Sequence, residues 1–246
     1  MFNRTSQILK SFSRFERYIF LASFLIFIVS SVFLLIKFIN QNTFLVPVIG
    51  GEYKEGIVGQ PTFINPVLVG NNDADRDLTR LIFSDLIDLA ESYKVDSHGL
   101  TWNVRLKEDI FWHDGKAITS DDVIFTVRTI QDSDARSPLF SNWQGVVAER
   151  VSEREVKFIL STPYAFFKNT LKELKPIPKH LFGDIPSANL KLSNYNLEPI
   201  GSGPFKFDSF QKRYDGFIID YKLIRNENYF EQSPYLEQII LKFYPN

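Results

Sequence analysis

The chain contains no cysteine. That excludes disulfides, thiolate metal sites and cysteine nucleophiles together, and with them the lipid-acceptor cysteine that tethers many bacterial surface proteins. Histidine is scarce: His98, His113 and His180 stand apart in turn-like contexts, with no HExxH and no second ring at ligand spacing. No GxSxG nucleophile motif occurs. Neither charge sign dominates, with 28 Lys plus Arg against 29 Asp plus Glu, which argues against a dedicated nucleic-acid binder. Internal repeats and low-complexity tracts are missing as well. Nothing in the chain calls for an enzyme, and no catalytic residue, metal ligand or cofactor is expected.

What remains is a chain of 246 residues, enough for one large domain or two small ones. Hydrophobic residues make up 44% and charged residues 23%, so most of it should fold. The 24 Phe, 10 Tyr and 3 Trp can build a core and can also line a site for bulky ligands.

From Tyr18 to Ile36 the sequence reads YIFLASFLIFIVSSVFLLI, without a charge. As a helix this run spans roughly 28 Å, close to the hydrocarbon thickness of a bilayer. Arg4, Lys10, Arg14 and Arg17 precede it, against Glu16 alone. Positive flanks stay cytoplasmic, so residues 41–246 are expected outside. A cleaved signal peptide is the competing reading, but KFINQNTFLV offers no small-x-small cleavage pattern, and an uncleaved anchor is favoured. The expected layout is a cytoplasmic basic segment (1–17), a signal-anchor helix (18–39), a linker (40–49) and a folded region (50–246).

Within that region GGEYKEGIVG reads as a strand and PTFINPV, with two prolines, as extended or turned chain. NNDADRDLTRLIFSDLIDLAESY begins with capping residues and spaces Leu78, Leu81, Ile82, Leu86 and Leu89 as one amphipathic helix. LTWNVRL alternates as a strand, residues 119–130 as a helix, and REVKFIL as a further strand. LKPIPKHL reads as a Pro-rich loop, GSGPF as a turn, and FKFDSF, GFIIDYKLI and LEQIILKFY as strands. Strands mixed with a few helices give an α/β, or mixed α+β, domain.

Three motifs invite chemistry, and each has a plainer explanation. Asp73, Asp75 and Asp77 open like a calcium loop, but Leu78 and Ser84 stand where its Gly and Glu belong. A helix N-terminus is the better reading. GSGPFK has Lys206 in place of a third Gly, so it suits a turn with accessible backbone rather than a nucleotide loop. WHDGKAITSDDVIFTVRTI sets His113 beside Asp114 and puts Asp121 and Asp122 before an apolar run. His-Asp-Gly is good turn chemistry, and Thr119 with Asp122 makes an acidic relative of the capping box.

Taken in order, DLAESYKVDSHGLTWNVRLKEDIFWHDGKAITSDDVIFTVRTI, VKFILSTPYAFF, PIPKHLF, PIGSGPFKFDSF and IRNENYFEQSPYLEQIILKFYP resemble the family 5 extracellular solute-binding proteins. These supply oligopeptides, dipeptides or nickel to ABC importers. The resemblance covers roughly residues 50–246. It implies a periplasmic-binding-protein-like type II lobe, a mixed sheet flanked by helices, whose two-lobed relatives close around ligand by hinge motion. It also implies that this chain carries the first lobe only, as a truncated product or with half the cleft from another chain. A short strand-turn segment usual in the family is missing at LIFSDLIDLAESY. The segments matching cleft-facing ones are residues 64–67, the SPLFSNW loop and the Gly-Ser-Gly turn. They nominate Asn65, Phe140, Trp143, Ser202 and Gly203 as ligand-binding, although Phe140 and Trp143 fit ordinary core packing equally. The resemblance implies a substrate-binding component of a peptide importer, with a peptide ligand, permease subunits and the membrane (through residues 18–39) as partners. A membrane-anchored sensor that reuses the fold without transport is the alternative.

Overall fold

Residues Arg14–Asn42 form one helix, α1, whose N-terminus is closed by reciprocal bonds between Ser13 and Glu16. It is long and apolar enough to cross a membrane, and it buries none of its side chains. The computed structural model describes residues 13–44 and 46–245. Arg4 and Lys10 of the basic flank lie outside the described residues. The chain divides into Met1–Pro47 and Val48–Asn246, and the folded architecture below belongs to the second unit.

That unit is built on two four-stranded sheets. In the first, β1 (Glu52–Val58) lies parallel to β8 (Gln238–Tyr244), which pairs antiparallel with β7 (Ile218–Arg225), and β7 with β6 (Phe205–Lys212). In the second, β2 (Ala90–Val95), β3 (Thr101–Leu106), β5 (Glu155–Ile159) and β4 (Val147–Ser152) are all antiparallel, in that order. Trp102, Val104 and Leu106 alternate with polar residues along β3, so one face meets the core and the other meets water.

Helices cover the buried faces. α2 (Asp73–Ile82) starts at the Asn72 cap, buries Ala74, Leu78 and Ile82, and packs on β6. After it come α3 (Leu86–Leu89), α4 (Ser120–Gln131), α5 (Phe140–Trp143), α6 (Phe167–Glu173) and α7 (Lys179–Phe182). α4 begins at the expected capping box. The Asp122 carboxylate accepts from the Thr119 amide at 2.9 Å, and its other oxygen accepts from the Lys179 amide at 2.9 Å. One buried acid thereby closes a helix and fixes the loop before α7.

The single helix expected over residues 71–93 is instead two helical pieces and a strand. α2 ends at Ile82 because Phe83 turns extended and Phe83–Asp85 is claimed by tertiary bonds. Gly203 donates to the Ile82 carbonyl at 2.7 Å, Ser84 bonds to Ser202, and the Leu86 amide donates to the Leu174 carbonyl. From Ala90 the chain pairs with β3. Tertiary hydrogen bonding overrides the helical period here. β4 left no alternating signal because Ala148 is its one buried residue.

Candidate functional site

The 137–143 loop and the 64–69 turn are stitched together. Ser137 is buried, its hydroxyl donates to the Val67 carbonyl at 2.6 Å, and it accepts from the Leu139 amide at 3.2 Å. Asn65 holds the turn from within. Its side-chain oxygen accepts from the Val67 amide at 3.0 Å, its amide group donates to Asn196 at 3.0 Å, and its carbonyl accepts from Leu68 and Val69. Two of the three segments nominated from the sequence are therefore neighbours.

Between them opens a cavity of about 470 Å³. Pro66, Val69 and Leu139 give it apolar lining, and Thr79 and Arg80 of α2, Asp85, Lys172, Glu173 and Lys175 line it as well. Lys175 donates to Asp85 at 2.6 Å and to the Phe83 carbonyl at 3.3 Å, with both ends of the ion pair half-buried or more. Arg80 reaches Asp77 at 3.7 Å, and Lys172 has no ion pair among the described residues. The Thr79 hydroxyl is buried without a partner. An apolar strip bordered by charges of both signs suits non-covalent capture of an extended, amide-bearing ligand with charged ends.

The five nominated residues divide. Phe140 is half-buried at the start of α5 and lines neither cavity itself, although its neighbours Leu139 and Ser141 line the first and a second one. Trp143 lies in the core, with its ring 5.8 Å from both Phe158 and Phe167 and its carbonyl accepting from Gln131 at 2.6 Å. Asn65 is buried and spends its side chain on the turn. Ser202 and Gly203 are buried against the end of α2, where Ser202 and Ser84 exchange bonds at 3.1 and 3.0 Å. A Cβ on Gly203 would meet the Leu81 carbonyl at 2.7 Å, so the turn owes its glycine to this close approach.

His113 grips the same turn. The Gly201 amide donates to Nδ1 at 3.2 Å, which places the ring proton on Nε2, and Nε2 donates to the Gly203 carbonyl at 3.0 Å. Burial holds its pKa down to about 4, so the ring is neutral near neutral pH. The neighbouring Asp114 bonds His180 at 2.7 Å. The His113–Asp114 pair thus has its atoms directed into the framework. Leu139, Thr79, Arg80 and Lys175 were missed by sequence reasoning. Arg80 and Lys175 read as ordinary surface charges, and only the folding of α2 against the 172–175 segment brings them to one cavity.

The family model for bacterial extracellular solute-binding proteins, family 5 Middle, matches residues 87–246. The oligopeptide-binding protein AppA of Bacillus subtilis is 34% identical over 210 residues, covering 80% of this chain and 38% of that protein. The structure of AppA in complex with a nonapeptide superposes with a TM-score of 0.73 at 33% identity, over 81% of this chain and 41% of that one. The substrate-binding protein CtaP of Listeria monocytogenes gives a TM-score of 0.71 at 33% identity, over 80% and 41%. The chain thus spans about two-fifths of the length of these relatives.

Proposed function

This chain belongs to the family 5 bacterial extracellular solute-binding proteins, and from that membership we propose that it is the substrate-binding component of an ABC-type peptide importer. It captures oligopeptides outside the membrane and delivers them to permease subunits, held at the surface by the helix that contains residues 18–39. One observation carries the reading. The loop and turn joined by Ser137 and Val67 border a ligand-sized cavity, in a chain a third identical to a protein solved with a nonapeptide bound.

Leu139 contacts the peptide from the α5 side, with Phe140 beside it reaching a peptide that extends beyond the cavity, and Arg80, Lys172 and Lys175 face its charged groups. Asn65, Trp143, Ser202 and Gly203 act from behind, holding the walls in register. The test is a thermal-shift screen of the full chain in lipid nanodiscs against peptide pools. A raised melting midpoint that follows peptide concentration supports the reading. A cooperative melt that no peptide shifts overturns it.

A further inference from the structure

A second cavity, of about 460 Å³, opens beside α5 and shares Glu173 with the first. Its volume lies within the usual range for small-molecule sites, about 300–1,000 Å³. Val146, Leu160 and Phe167 make a buried apolar floor. Around it stand Asn142, Gln144, Ser161, Thr162, Asn169 and Thr170. Thr170 is half-buried and the other five are exposed, and none of the six side chains hydrogen-bonds another described residue, so all are open to a ligand. At the mouth Tyr164 and Phe166 are 50% and 64% exposed, with ring centroids 6.0 Å apart and planes inclined by 62°.

Each feature narrows the ligand. Two large rings held in water favour a partner with a flat C–H face to cover them. Side-chain amides and hydroxyls both donate and accept, which matches a group that does the same, namely an alcohol. Glu173 is the sole acidic or basic side chain among the described lining residues, so an anionic ligand would find no cation there. We propose that this cavity is a distinct site for a neutral saccharide unit. One of the Tyr164 and Phe166 rings stacks on the sugar face while the other, inclined to it, meets the edge of the ring, and the surrounding amides and hydroxyls bond its hydroxyls. Placed beside a solute cleft, such a site would bind a wall or surface glycan independently of the transported cargo.

The experiment is calorimetric titration of the full chain in lipid nanodiscs with chitotetraose and with maltotetraose. One of the two is expected to bind. The double variant Tyr164→Ala/Phe166→Ala is expected to weaken that binding by about tenfold or more. Both side chains are largely exposed, so the variant should melt at the wild-type midpoint and keep its response to peptide pools. The proposal is overturned if neither saccharide binds, or if the double variant binds as the wild type does. It is equally overturned if the double variant loses peptide binding instead, which would make the cavity an extension of the peptide cleft.

Discussion

The His113 ring and Gly203 form a joint between the hairpin after β3 and the turn that leads into β6. Nε2 donates to the Gly203 carbonyl at 3.0 Å, while Nδ1 accepts from Gly201 two residues earlier. Both nitrogens are spent on one turn, and that turn is also bonded to the end of α2 through Ile82 and Ser84. The stretch around His113, which in sequence could pass for an acid-base pair, is where the hairpin after β3 locks onto the chain entering β6.

Acid should loosen this joint. The folded pKa of about 4 lies below the ordinary 6.5, so the unfolded chain takes up the proton first. The His113 contribution is fully present above 6.5 and falls as pH drops toward 4, by up to about 1.4 kcal/mol per pH unit. The comparison that isolates it is urea unfolding of wild type and His113→Gln at about pH 7.5 and about pH 5. The wild type should lose more stability than the variant between the two. Equal losses would show that other groups govern the acid response.

The glycine at 203 should be as intolerant as the histidine is pH-sensitive. A methyl there would press on the Leu81 and Ile82 carbonyls, backbone atoms that cannot step aside without unwinding α2. Gly203→Ala is expected to cost about 2–4 kcal/mol, toward the upper end for point substitutions. Ser202→Ala should cost about 1–3 kcal/mol, since it leaves the buried Ser84 amide unsatisfied. Chemical denaturation of both variants gives the order, and a Gly203→Ala protein as stable as wild type would contradict the packing argument.

Six of the eight strands were legible because they alternate or run apolar between clear breaks, as in LTWNVRL and GFIIDYKLI, while β2 and β4 were not. The 119–130 helix was legible because its cap is local, a Thr and an Asp three residues apart. The passage from Ile82 to Val95 was not. Its leucines keep a helical period, yet Phe83–Asp85 is bound by residues more than a hundred positions ahead and by Lys175. The site divides in the same way. Asn65 and the 137–143 loop could be nominated from family resemblance, but Lys175 and Thr79 enter only through the fold. Trp143 shows the limit of residue type as a guide, because an aromatic in a cleft-facing loop can point inward and hold that loop up.

Phe140 and Trp143 should therefore separate in experiment. Trp143 is buried in an aromatic cluster with Phe158 and Phe167, so Trp143→Ala is expected to cost about 3–5 kcal/mol of stability. Phe140 is half-buried, and Phe140→Ala should cost about 1 kcal/mol or less while weakening the thermal response to peptides. Denaturation and peptide thermal shift on the same two variants test both halves. If Phe140→Ala melts normally and keeps the full peptide shift, Phe140 does not touch the ligand.

Lys175 offers the sharpest test of the cavity's charges. Its ammonium meets Asp85 at 2.6 Å and the Phe83 carbonyl at 3.3 Å, with the lysine side chain 15% exposed and the aspartate 34%. Removing either charge alone leaves the other partly desolvated, so Lys175→Met and Asp85→Asn should each cost about 1–3 kcal/mol. The double variant should cost less than the sum of the two, by about 0.5 kcal/mol or more, because each residue's main partner has gone with it. Peptide binding supplies the second readout. If Lys175 also faces a ligand carboxylate, the double variant will recover stability without recovering affinity for peptides with a free C-terminus, and amidated peptides will show little difference from wild type. Recovery of stability and affinity together would make the pair a structural clamp and move the electrostatic recognition to Arg80 and Lys172.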